Sequence, residues 1–153
     1  MTKQTTSPKK IIIIVTGAEP HYVENALDII KSKHPKSLIH MFYSNQTSAD
    51  RKAHIWAYKK ADRAEMIPPG TKPTSGGNAS LIWAAECTRA GDTSTPLLVL
   101  EAPGQDARSS DLLQRATEVF GKDYYHQRIP SAKEEHGNLM AAIVGGSAEA
   151  LVK

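Results

Sequence analysis

The chain has 153 residues, 40% apolar and 23% charged, an ordinary globular composition that excludes collagen-like, disordered and disulfide-scaffold classes. Its longest apolar runs, Ile11 to Val15 and Pro96 to Leu100, are strand-sized and far below the ~20 residues that span a bilayer, so no transmembrane segment and no membrane partner is expected. The formal charge of +3 comes from Lys3, Lys9 and Lys10, whose removal leaves 16 basic against 16 acidic residues. A neutral body argues against nucleic acid, because backbone binding needs a clustered basic face.

Residues 1–10 read as a flexible basic arm without the apolar stretch of a signal peptide, and 11–153 as one domain. The single cysteine, Cys87, allows no intramolecular disulfide and fits a reducing cytoplasm. Lys9 to Gly17 is an apolar run ended by Thr-Gly, the pattern of a strand buried on both faces of a parallel sheet. From His21 to Lys33, Tyr22, Val23, Ala26, Leu27 and Ile30 recur at helical spacing, and Pro35 follows as a stop. Ser37 to Tyr43 predicts a second strand, Ser48 to Lys60 a second helix with Ala49, Ala53, Trp56 and Ala57 inward, and Arg63 to Ile67 a third strand.

Pro68 to Gly77 is ten residues of turn formers, long for an α/β connection and therefore a functional candidate. Asn78 to Arg89 predicts a helix that carries Cys87 into the core. Pro96 to Ala102 predicts another buried strand, and Ser110 to Phe120 a helix with Leu112, Leu113, Ala116, Val119 and Phe120 inward. Tyr124 to Ile129 predicts a last strand. Ser131 with Glu134 forms a capping box opening a C-terminal helix to about Val144. Its Ala- and Gly-rich sequence serves equally as a homo-oligomer seam or as packing on the sheet.

Alternation of strand and helix gives the fold class: α/β, a three-layer αβα Rossmann-like domain with a mostly parallel sheet. In such sheets ligands sit beyond the strand carboxyl ends, where strand order reverses. Four loops therefore matter, at 16–21, 44–50, 68–78 and 103–110. In the last, Gly104 lets backbone approach a ligand, Ser109 or Ser110 caps the following helix, and the helix N-terminus suits a phosphate. Arg108 would attract that phosphate and Asp106 would repel it. The Pro-Gly and Ser residues equally make an ordinary turn and cap.

Thr16-Gly17 ends the first strand in similar fashion. No phosphate loop of the G-K-[ST] type and no complete G-x-G-x-x-G occurs, so no cofactor motif is complete. The six histidines include no i, i+4 pair and no metal site is expected. His54, beside Trp56, reads as a surface or packing residue. Asp50, Glu65, Glu86, Glu101 and Asp106 are the carboxylates considered for acid–base work, with Glu101 and Asp106 flanking the 103–110 loop and Glu86, Glu101 and Asp106 carried forward as catalytic candidates.

The blocks Ile14-Val15-Thr16-Gly17, Ser48-Ala49-Asp50-Arg51 with Ala53, Trp56 and Ala57, Asn78 with Leu81, Ala102-Pro103-Gly104, and Ser109 through Ala116 resemble, in order, those of small stand-alone SLOG-superfamily proteins of the YspA type. That superfamily takes its name from DprA/Smf and the LOG cytokinin-activating enzymes. The resemblance spans roughly 11–129. It implies a Rossmann-like fold and a nucleotide-derived small-molecule partner, its phosphate at 103–110. By it, Thr16, Gly17 and Ala18 flank one side of the ligand and Pro103, Gly104, Gln105 and Ser109 the other; Ser44 lies in the loop of the glycine-rich block, Asp50 meets ribose or base and Asn78 orients the ligand.

The departures are specific. Ser44 to Asp50 contains no glycine, the Pro-Gly-Gly-x-Gly-Thr loop is reduced to Pro103-Gly104-Gln105, and Glu19 and Gly77 stand where arginines are expected. They imply a different or less charged ligand, or loss of ligand binding. LOG enzymes cleave an N-glycosidic bond with a glutamate and an arginine, and Glu86 with Arg89 supplies the residue types at a different spacing. A third resemblance, to flavin-dependent cysteine decarboxylases, rests on Thr16-Gly17 with Tyr22, His54-Ile55 with Ala61-Asp62, and Ala102-Pro103.

Overall fold

The computed structural model describes residues 8–68, 77–104 and 107–131. Five strands and four helices alternate as β1 (Lys10–Thr16), α1 (Val23–Lys33), β2 (Leu38–Tyr43), α2 (Ser48–Lys60), β3 (Arg63–Met66), α3 (Asn78–Arg89), β4 (Leu97–Glu101), α4 (Ala107–Phe120) and β5 (Tyr125–Arg128). They form one sheet of order β3-β2-β1-β4-β5, every neighbouring pair parallel. The expected αβα Rossmann-like class is therefore observed.

The unbroken apolar run of β1 has a direct cause in this topology. Ile11, Ile13 and Val15 face one layer, built on α1 and α2, while Ile12 and Ile14 face the other, built on α3 and α4. All five are fully buried, so neither face of β1 tolerates a polar residue. The edge strands β3 and β5 are mostly exposed along their length. Trp56 of α2 is buried and donates its indole N–H to Asp28 of α1 at 2.8 Å, tying the two helices of that layer together.

Three readings of the sequence shift. Helix α4 begins at Ala107, three residues before Ser110, because nothing after Pro103-Gly104 breaks a helix; Ser109 and Ser110 thus lie inside its first turn rather than before it. Cys87 is exposed, since Leu81, Ile82, Ala85 and Arg89 define the inward stripe of α3 and Cys87 falls half a turn away. Val119 is exposed at the margin of the stripe set by Leu112, Ala116 and Phe120, with Leu113 partly buried. The capping box of Ser131 with Glu134, the C-terminal helix and most of the turn-rich 68–77 segment lie outside the described residues, as do 1–7.

Arg89, at the end of α3, donates to the carbonyls of Thr93, Thr95 and Asp123, and so fastens the turn that leads into β4. No helix of the described residues is long and apolar enough to cross a membrane.

Candidate functional site

The chain reverses direction of strand addition between β1 and β4, so their following loops part towards opposite helical layers. Six of the nine buried polar or charged residues among those described gather near this carboxyl edge: Thr16, Ser44, Asp50, Asn78, Arg108 and Ser109. Burying polar groups costs free energy unless they are hydrogen-bonded, so each needs an account.

The two loops are joined to one another. The amides of Ala18 and Glu19 both donate to the Pro103 carbonyl, at 3.3 and 2.9 Å, and the Ala18 carbonyl accepts from the amide of Ala49 in α2 at 3.1 Å. Gly17 makes this approach feasible: its φ is +107°, and a Cβ there would lie 2.4 Å from the Ala102 carbonyl oxygen. Thr16 and Ser109 share a hydrogen bond between hydroxyls at 3.1 Å, closing β1 against α4.

Arg108 crosses the sheet edge. It starts on α4, passes the Gly17 carbonyl at 3.4 Å, and reaches Asp50 of α2, on the opposite layer, at 3.2 Å. Asn78 holds the same residue from behind, its amide donating to the Arg108 carbonyl at 2.8 Å and to Asp111 at 2.9 Å. The crevice between β1 and β4 is thus filled by a buried ion pair.

Asp50 has two duties on one oxygen. Its Oδ2 accepts from the amides of Gln46 and Thr47 at 3.0 and 3.3 Å, and faces Arg108. In return the Thr47 hydroxyl accepts from the Asp50 amide at 3.1 Å, so the two form a capping box that begins α2. Its Oδ1 is buried and has no hydrogen-bond partner among the described residues; Asn78 Oδ1 is in the same condition. Burial pushes the Asp50 carboxyl above its ordinary range, against the pull of Arg108 and the two amides.

Beside this cluster a pocket of about 170 Å³ opens between the ends of β2 and β3 and the first turns of α2; Ser44, Asp50, Arg51, His54 and Met66 are among its lining. Drug-sized ligands fill ~300–1,000 Å³, so the pocket is smaller than a whole ligand of that class and has the volume of about one ring. His54 is positioned by Tyr43, whose hydroxyl meets its Nδ1 at 3.0 Å.

The structure therefore brings together Thr16, Gly17, Ala18, Ser44, Asp50, Asn78, Pro103, Gly104, Arg108 and Ser109. Gly104 is exposed with φ +106°, and Ser110 is exposed on α4. Gln105 and Asp106 lie outside the described residues. Glu86 is exposed, two turns and ~12 Å along α3 from Asn78. Glu101 ends β4 paired with His126 at 2.8 Å and Arg128 at 3.7 Å. Neither glutamate joins the cluster. The sequence reading left His54, Tyr43, Arg51 and Met66 out of the site, although the i, i+4 step from Asp50 to His54 placed both on one helix face. Among the described residues no group of three or more His, Cys, Asp or Glu is arranged to hold a metal.

No family model matches the chain, and no curated protein matches it. Among solved structures, it is similar to a phenylacrylic acid decarboxylase from Aquifex aeolicus, at 12% identity, over 94% of this chain and 96% of that one, with a TM-score of 0.46.

Proposed function

We propose that the protein is a binding module for a nucleotide-derived small molecule, seated across the carboxyl edge with its ring or sugar in the pocket beside Asp50 and its phosphate towards residues 103–110. The observation that carries this reading is the gathering of six buried polar or charged residues at the carboxyl edge of the sheet, beside a pocket that Ser44 and Asp50 help to line. The Arg108–Asp50 contact makes the pocket and the first turn of α4 adjacent, so one ligand spans both. The SLOG-like blocks suggest the same ligand class.

The test is thermal unfolding of the purified chain with nucleotides, nucleosides, NAD, ADP-ribose, cyclic nucleotides and FMN, with base release measured in the same wells. A ligand at a hundredfold excess over its Kd raises the melting temperature by about 5–10 °C. Met66→Arg, at a half-exposed edge position on the pocket rim, should abolish the shift while leaving the unliganded melting temperature within about 1 °C. Silence across the nucleotide panel, or a shift that survives Met66→Arg, overturns the reading; a shift with FMN alone replaces it with a flavin site. Released base would add catalysis to binding.

A further inference from the structure

The sheet ends in two exposed strands, β3 and β5, and they differ in what they offer a second copy of the chain. An edge strand presents a row of backbone donors and acceptors with which another strand can pair. Among the described residues no strand pairs with the outer side of β3, and all four of its residues are exposed.

Which groups β3 turns outward follows from one hydrogen bond. The Ile67 amide donates to the Tyr43 carbonyl at 2.7 Å, and Tyr43 is level with Met66, so this bond continues the regular parallel ladder. Backbone groups alternate in direction along a strand. Arg63, Glu65 and Ile67 therefore bond towards β2, while Ala64 and Met66 hold their N–H and C=O groups outward. Side chains alternate as well: Arg63 and Glu65 are level with His40 and Phe42 and share the α3 face, whereas Ala64 and Met66 share the α2 face with Met41 and Tyr43. Neither Arg63 nor Glu65 makes a salt bridge among the described residues.

Two-fold symmetry restricts how such a strand pairs with itself, because residue i must face j while j faces i. A register centred between two residues sets an outward backbone group against an inward one. Centred on Glu65, the pairing places glutamate opposite glutamate, which is destabilising. Centred on Met66, it sets Ala64 against Pro68, which has no N–H to give. Centred on Ala64, it joins the outward groups of the two Ala64 residues and places each Arg63 opposite Glu65 of the other copy. The second edge has no such solution, since β5 carries His126 and Arg128 but no acid.

We propose that β3 is a self-association edge: two copies of the chain join antiparallel about a two-fold axis at Ala64, running two five-stranded sheets into one and closing two Arg63–Glu65 ion pairs across the seam. Met66 lines the pocket on the α2 side, so the pockets of both copies open on the same face of the joined sheet. The pairing does not depend on what those pockets bind.

The experiment is sedimentation velocity on the full chain over a concentration series, which should show a reversible equilibrium between monomer and dimer. Glu65→Arg and Arg63→Glu each turn both cross-seam pairs into like charges and should weaken dimerisation about tenfold, without moving the melting temperature of the dilute monomer. An equimolar mixture of the two variants should associate as tightly as the unsubstituted chain, because the charges then match again. Ala64→Pro removes the outward N–H at the centre of the seam while leaving the ladder to β2 intact, and should abolish the dimer. A chain that stays monomeric at every concentration, a dimer indifferent to Glu65→Arg and Ala64→Pro, or a mixture that associates no better than either variant alone overturns the proposal.

Discussion

Gly17 and Asp50 carry different kinds of constraint. At Gly17 the backbone sits at φ +107° with the Ala102 carbonyl where a side chain would go, so Gly17→Ala should cost about 3 kcal/mol or more, read by urea unfolding. At Asp50 the constraint is electrostatic: Asp50→Ala leaves Arg108 buried without its counter-charge, an expected loss of about 3–5 kcal/mol. Replacing both partners together, as Asp50→Leu with Arg108→Met, should recover most of it, because no unpaired charge remains. A double-mutant cycle showing additive losses would refute the pairing. The glycine was visible in the sequence as a strand terminator. The ion pair was not, since nothing in the spacing of 58 positions indicates that an arginine on one helix layer reaches an aspartate on the other.

Elements were legible where turn-forming residues bracket the apolar positions. Both α2 and α3 begin and end where the sequence pattern places them, with Thr47 capping the first and an αL Ala90 ending the second. Helix α4 was misjudged at its start, where Arg108 and Ser109 look like loop residues by composition yet are buried by tertiary contacts. A further element-level consequence lies at the end of α1. His34 is fully buried there with neither ring nitrogen bonded to a described residue, and burial holds its pKa below the ordinary 6.5. His40 shifts the same way, by burial first and then by Lys10 and Arg63. The unfolded chain takes up protons that the folded one refuses. Stability is therefore full above about pH 6.5 and falls as the pH drops through that value, by up to ~1.4 kcal/mol per unit for each histidine. His34→Leu should flatten the slope between pH 7 and 5 in pH-resolved denaturation curves; an unaltered slope would assign it to other groups.

Across the whole molecule, the parallel sheet sets a gradient of stability from its middle outwards. Hydrogen exchange should show β1, β2 and β4 opening only with global unfolding, and the exposed edge strands β3 and β5 opening locally at lower cost. Protection of β3 equal to that of β1 would contradict this. The class of fold was readable in advance because strand, helix and turn signals agreed in sequence order. The pocket was not readable, because it depends on how far β3 extends beside α2, which no local pattern specifies. The contrast between the chain's two tryptophans gives the molecule an optical use as well. Trp56 is buried on α2 with its indole bonded to Asp28, two residues beyond His54, while Trp83 stands two-thirds exposed on α3. A soluble collisional quencher such as iodide should extinguish only the red-shifted part of the emission, that of Trp83. In Trp83→Phe the remaining blue emission would come from the helix that borders the pocket, a built-in fluorescent reporter of anything that enters it.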